Sequence, residues 1–171
     1  MLFSTLTTFL LPAMALAAPA SLSARQDTAC APTSYTITDF KYTTGASSSN
    51  PTVHFGFKSV FSNPSIISDP SSGGAACDST GATLDSFPNE TECSTGRANL
   101  MYDLRARVDQ ANFQIIHQWH CNGQTWMSST PHKITPLACT PGSDGSTTCT
   151  SAAQTFAPEN VRRICSTPTC P

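Results

Sequence analysis

Apolar and polar residues alternate with a period of two in several stretches of this chain, which is the pattern of half-buried β-strands. In TVHFGFK (52–58), Val53, Phe55 and Phe57 fall on one face, with His54, Gly56 and Lys58 on the other. In NLMYDLRARVD (99–109), Leu100, Tyr102, Leu104, Ala106 and Val108 line one face, and Asn99, Asp103, Arg105, Arg107 and Asp109 line the other. Leu100, Leu104 and Val108 would also share a helical face, but the unbroken alternation favours a strand. SYTITDFKY (34–42) is rich in the Thr, Tyr and Phe that strands accommodate, and its parity slips between Ile37 and Phe40, which predicts a bulge. FQIIHQWHC (113–121) puts Phe113, Ile115, His117, Trp119 and Cys121 on one face and Gln114, Ile116, Gln118 and His120 on the other.

Turn-rich segments separate these strands. TTGASSSNP (43–51) is a turn cluster, and 62–93 reads as a long irregular region punctuated by Pro and Gly. TPGSDGSTT (140–148) joins Cys139 to Cys149 and reads as a hairpin loop clamped by its own bridge. The tail CSTPTCP (165–171) is too rich in proline for a strand. Repeats and a second domain are absent from the pattern. Short strands between turn signals predict an all-β fold, a single antiparallel β-barrel or sandwich over residues 30–171, stapled by disulfides.

The N-terminus supplies the compartment. Residues 2–17 are apolar and uncharged, are interrupted by Pro12, and end in the small-x-small sequence Ala15-Leu16-Ala17. That is a signal peptide over 1–17, too short and too broken to span a membrane. Residues 18–29 read as a short arm or pro-segment, and a cut after Arg25 would leave Gln26 to cyclise. Roughly 150 residues follow the signal, enough to bury a core. Charged residues make up 12% of the chain, about half the usual share, and the formal charge of −2 leaves no footprint for nucleic acid or an anionic membrane. The sequon Asn89-Glu90-Thr91 is the expected glycosylation site, since Asn50 and Asn63 are each followed by proline.

All eight cysteines (Cys30, Cys77, Cys93, Cys121, Cys139, Cys149, Cys165 and Cys170) lie after the signal. An even set in an oxidising compartment reads as a disulfide framework. Spacing alone leaves the pairing open among about 105 connectivities. Zinc would need close C-x₂₋₄-C pairs, and the only near pair is Cys165 to Cys170 in the tail; hydrophobins carry adjacent Cys-Cys doublets, and this chain has none.

Catalysis is where the histidines matter. On a strand, His117 and His120 point to opposite faces and cannot share a metal, so no metal or cofactor is expected. His117 is expected to be a hydrogen-bonded core or rim residue and His120 an exposed one. Trp126 and Met127 are weighed between an exposed apolar patch and burial, and burial is favoured. The alternative to a binding protein is a small secreted hydrolase acting on RNA or polysaccharide. Its candidates are His54, His120, Glu90, Glu92, Arg105 and Arg107, with Lys58 sharing the outward face of His54. Nothing in the pattern makes these converge, and there is no G-x-S-x-G, so no catalytic residue is assigned. A hydroxyl-rich, weakly charged surface also permits a structural role in a cell wall or on a spore surface.

The order of YTITDF (35–40), VHFGF (53–57), Cys77/Cys93, WHC (119–121), LAC (137–139) and Cys149 resembles secreted fungal β-barrel proteins related to the Alternaria major allergen. The resemblance spans roughly 30–160; Cys165 and Cys170 depart from the simplest family pattern. It implies a single antiparallel barrel, sometimes dimeric, without agreed enzymatic activity, in contact with host extracellular proteins or small phenolic ligands. By analogy with family bridges it implies Cys77–Cys93 and Cys139–Cys149. Cys30–Cys121 and Cys165–Cys170 complete the set most simply, with an interchain bond through Cys30 left open.

Overall fold

The computed structural model describes residues 28–45, 50–81, 89–105 and 108–165. Among the described residues twelve antiparallel strands run in chain order: β1 (Pro32–Thr44), β2 (Thr52–Phe61), β3 (Ile67–Ser68), β4 (Ala75–Thr80), β5 (Thr91–Glu92), β6 (Leu100–Leu104), β7 (Asn112–Cys121), β8 (Gln124–Lys133), β9 (Ala138–Pro141), β10 (Thr147–Thr150), β11 (Gln154–Phe156) and β12 (Arg162–Ile164). The first sheet has the order β4-β2-β1-β10-β9, with β11 also on β1; the second has the order β12-β8-β7-β6-β5, with β3 on β7. Among the described residues no ladder joins one sheet to the other, so the fold is an all-β sandwich of two open sheets rather than a closed barrel.

Alternation explains how the sheets face each other. Val53, Phe55 and Phe57 of β2 are buried, as are Phe113, Ile115, His117, Trp119 and Cys121 of β7. The β2 residues, with Phe113 and Ile115 of β7 and Tyr35, Ile37, Phe40, Leu100 and Tyr102, form the main core. Aromatic edges interlock there: Phe55 lies 5.0 Å from Tyr102, and Phe40 lies 5.8 Å from Phe113, both in T-shaped contacts. A second cluster gathers Phe61, Trp119, Trp126 and Val161 around Cys30 and Cys121. Trp126 is therefore a core residue and not part of an exposed patch. The bulge expected near Ile37–Phe40 is present as a register shift between Thr38 and Lys41, where Asp39 adopts φ 53°. It returns both Ile37 and Phe40 to the interior.

Two expectations need correction. The strand read over 99–109 ends at Leu104; a bend at Arg105 and a 3-10 turn at Val108–Gln110 follow, and both Asn99 and Met101 are buried. The chain must reverse there to lay β7 beside β6, and the Arg105 N–H to Asn112 C=O bond closes that reversal. The region 62–93 is not wholly irregular, because β4 pairs with β2 along six positions, from Thr52↔Thr80 to Phe57↔Ala75. Its sequence, AACDST, lacks the large β-branched and aromatic residues that mark a strand, and the ladder to β2 supplies what propensity does not. The signal (1–17), the arm through residue 27 with Arg25 and Gln26, and Ala106, Arg107 and Cys170 lie outside the described residues.

Three bridges are described: Cys30–Cys121, Cys77–Cys93 and Cys139–Cys149. Cys165 is also bonded. Cys77 sits on β4 and Cys93 directly after β5, so that bridge ties the two sheets along one edge. Cys139 and Cys149 face each other across the β9–β10 hairpin. Cys30 anchors the start of the chain to the end of β7 across a separation of 91 residues. Replacing Cys30 and Cys121 together by Ser frees the longest described loop and should lower unfolding stability by about 4 kcal/mol. Denaturant unfolding at constant pH measures it.

Candidate functional site

The densest chemistry in the described structure lies between the sheets. A turn of sequence Asp69-Pro70-Ser71 brings a carboxylate inward: Asp69 caps the 3-10 turn Pro70–Gly73 by accepting the Ser71 N–H at 3.0 Å. Pro70 at the first helical position needs no such partner. His117, from the centre of β7, reaches Asp69 Oδ1 with Nε2 at 3.1 Å and the Ser71 hydroxyl at 2.9 Å. Its Nδ1 lies 3.0 Å from the Tyr35 hydroxyl, which is in turn 2.6 Å from Ser128 Oγ. Ser71 Oγ donates to Asp69 at 2.8 Å, Asn99 Nδ2 donates at 2.7 Å, and Ser59 Oγ donates to the other carboxylate oxygen. The side chains of Asp69 and His117 are fully buried.

The contributors to this cluster come from both sheets and from the segments that connect their strands. Tyr35 and Ser59 come from the first sheet, His117 and Ser128 from the second, and Asp69, Ser71 and Asn99 from the connections. Burial alone would raise the Asp69 pKa, but the hydrogen bond and charge of His117, with donation from Ser59 and Asn99, hold it well below the usual carboxylate range. Burial pushes the Tyr35 phenol well above its ordinary value, so it remains an O–H donor across the working range. Tyr102, donating to Ser79, is pushed up to about 12 by burial.

Asp, His and Ser side by side invite comparison with a nucleophilic triad. In a triad the carboxylate and the nucleophile occupy opposite nitrogens of the imidazole. Here Asp69 and Ser71 share Nε2, and a tyrosine holds Nδ1. Ser71 and His117 have no exposure at all. The cluster crosslinks the two sheets. It is not a substrate site.

The hydrolase candidates are not brought together. His54 lies on β2 in the first sheet and His120 on β7 in the second, each on an exposed position. Lys58 lies four residues beyond His54, about 13 Å along the strand. Glu90 is paired with Arg97, Glu92 is exposed on β5, and Arg105 is exposed past the end of β6. What sequence reading missed is the partner of His54: Asp78 on β4 accepts or shares a proton at Nδ1 over 2.6 Å. Lys41 lies directly across β1 in the same register row. This row lines an open groove of about 550 Å³. His132 is stacked on Phe156 at 3.7 Å, and burial lowers its pKa.

A second groove, of about 320 Å³, lies over β7 between the 94–99 turn and the Ser68–Pro70 segment. Asn99 and Thr95 line it. Among the described residues no group of three or more His, Cys, Asp or Glu is placed to hold a metal ion. Nor is any helix among the described residues long and apolar enough to cross a membrane.

The Asp69 depression sets a pH dependence. The unfolded chain takes up the proton near pH 4, while the folded carboxylate resists it. Stability is therefore full above that value and falls as pH drops through and below it. Asp69→Asn should cost about 3 kcal/mol at neutral pH and flatten this acid limb, measured by urea unfolding at several pH values.

No family model matches the chain, and no curated protein matches it. Among solved structures the chain is similar to the crystal structure of the Alternaria alternata major allergen Alt a 1, with a TM-score of 0.44 and 10% sequence identity, over 77% of this chain and 94% of that one. At that distance no residue of the allergen lends a role to a residue here, and the functional reading rests on this chain's own side chains.

Proposed function

We propose that the chain is a secreted, non-catalytic binding protein whose disulfide-stapled sandwich presents its outer surface to an extracellular protein or a small ligand. The observation that carries this reading is the sealed Asp69–His117–Ser71 cluster: the groups most able to do acid–base or nucleophilic chemistry are committed to joining the sheets. The three bridges support an oxidising environment. The signal-like N-terminus supports secretion. Asn89, exposed in the turn before β5, is the glycan acceptor in this reading. Enzymatic deglycosylation of the secreted protein should lower its mass by one N-glycan, and Asn89→Gln should abolish the difference.

One observation favours a second reading, a hydrolase centred on His54. Asp78 orients the imidazole from Nδ1, which leaves Nε2 for a substrate in the groove beside Lys41. Both side chains are largely in water, at 46% and 67% exposure. The purified mature protein should give no turnover of RNA or of soluble polysaccharides above a buffer blank. Turnover that disappears in His54→Ala would reverse the preference.

A further inference from the structure

We infer that the Cys139–Cys149 bridge is a thiol-exchange site, at which a small thiol such as glutathione bonds covalently to Cys139. This goes beyond the binding reading and does not depend on it. Exchange proceeds by attack of a thiolate on one sulfur of a disulfide, so it depends on which sulfurs solvent reaches. Of the six cysteines in the three described bridges, Cys30, Cys77, Cys93, Cys121 and Cys149 are buried, none above 5% exposure. Cys139 alone among them is exposed. Its place in the sheet explains the difference. β9 is the last strand of the first sheet, and all four of its residues are exposed. They include Cys139 and Pro141 on the inward parity as well as Ala138 and Thr140 on the outward. The strand therefore overhangs the core, and Cys149, one strand further in, is a member of that core while Cys139 is not.

The register sets the line of attack. Cys139 and Cys149 stand directly opposite in the β9–β10 ladder, so their side chains leave the sheet on one face and the S–S bond crosses between the strands. A thiolate displaces sulfur in line, from the side away from the sulfur that leaves. Beyond Cys139 that line runs past the sheet edge, where no further strand follows. Beyond Cys149 it runs toward buried Tyr42 of β1. Neither β9 nor β10 carries an Asp or Glu to repel an anion, and Asp144 in the hairpin turn accepts the Ser146 N–H. In the step, the thiolate sulfur bonds to Cys139 Sγ as the Cys139–Cys149 bond breaks, and the electron pair leaves on Cys149 Sγ. A second small thiol attacking the mixed disulfide releases the disulfide of the two small thiols and leaves both cysteines reduced.

Opening is local. The bridge spans a separation of 10 residues, against 16 for Cys77–Cys93 and 91 for Cys30–Cys121, so it constrains the unfolded chain least. β10 stays paired with β1 from Lys41↔Thr150 to Thr44↔Thr147, and the hairpin keeps its Gly142 N–H to Ser146 C=O bond at 2.7 Å. Cys149 thus remains beside Cys139, placed to attack the mixed disulfide and restore the bridge.

The test treats the intact, folded protein with reduced glutathione at mildly alkaline pH, quenches samples in acid at intervals, and maps adducts and bridges by mass spectrometry. Near-UV circular dichroism follows the fold in parallel. Glutathione should appear on Cys139 and not on Cys149. The Cys139–Cys149 bridge should open at least about tenfold faster than Cys77–Cys93 and Cys30–Cys121, with the near-UV spectrum kept. Because the attacking thiolate is an anion, Thr140→Lys should speed that opening about threefold and Thr140→Glu should slow it by as much, with the two buried bridges unaffected. Absence of glutathione from Cys139, its appearance on Cys149, or equal rates in the two Thr140 variants would overturn the assignment. So would either buried bridge opening as fast, or an opening of Cys139–Cys149 that comes only as the near-UV spectrum collapses.

Discussion

A carboxylate held in the interior of a protein must be surrounded by donors, and the rest of this sandwich is arranged around that requirement. Asp69 receives hydrogen bonds from Ser59, Ser71, Asn99 and His117. Satisfying it draws β2, β7 and two connecting segments to one point. His117 passes the link onward to Tyr35 and Ser128, so the chain of hydrogen bonds crosses the core from one sheet to the other. The chain is satisfied whether the imidazole donates to or accepts from the tyrosine, because Ser128 can take or supply the complementary hydrogen. Apolar packing alone would let two open sheets slide; a polar cluster with fixed directions allows one arrangement.

This constraint also sorts the protein's chemistry by location. Asp69, His117, Ser71 and Tyr35 lie inside and are committed to one another, while the outer faces carry Thr, Ser, Asn and Gln, few charges and the exposed His54–Asp78 pair. The Cys77–Cys93 bridge closes one edge of the sandwich, and Cys30–Cys121 fixes the entry of the chain. A rigid interior with a hydroxyl-rich exterior suits recognition, where affinity depends on surfaces that do not rearrange. Asn99 joins the two zones, since its amide bonds the buried carboxylate and the residue also lines a surface groove.

Much of the framework was legible from alternation. β2 and β7 follow the two-residue period throughout, so their inward residues could be named from the sequence, His117 among them. The bulge in β1 left its trace as a parity slip at Ile37–Phe40. What alternation could not carry was anything set by pairing. β4 is built from small residues, and β8 (QTWMSSTPHK) mixes serine and proline into its inward and outward positions, so neither reads as a strand until its neighbour is present. Asp69 and Ser71 hid in a segment dominated by turn residues. The Asp-Pro-Ser sequence there announces a capped turn, but nothing local says that the turn is tucked beneath His117, 46 positions beyond Ser71. Asp78 escaped for the same reason: its approach to His54 is made by a ladder between distant strands.

The most direct test of the account is hydrogen exchange at the His117 ring, followed by nitrogen-15 NMR on labelled protein. With Ser71 already donating to Asp69, Nε2 must carry a hydrogen, and that hydrogen should exchange with solvent as slowly as the central amides of β7. An Nε2 hydrogen that exchanges rapidly under native conditions, while the β7 amides stay protected, would place the imidazole in contact with water and contradict the sealed crosslink from which the functional reading follows.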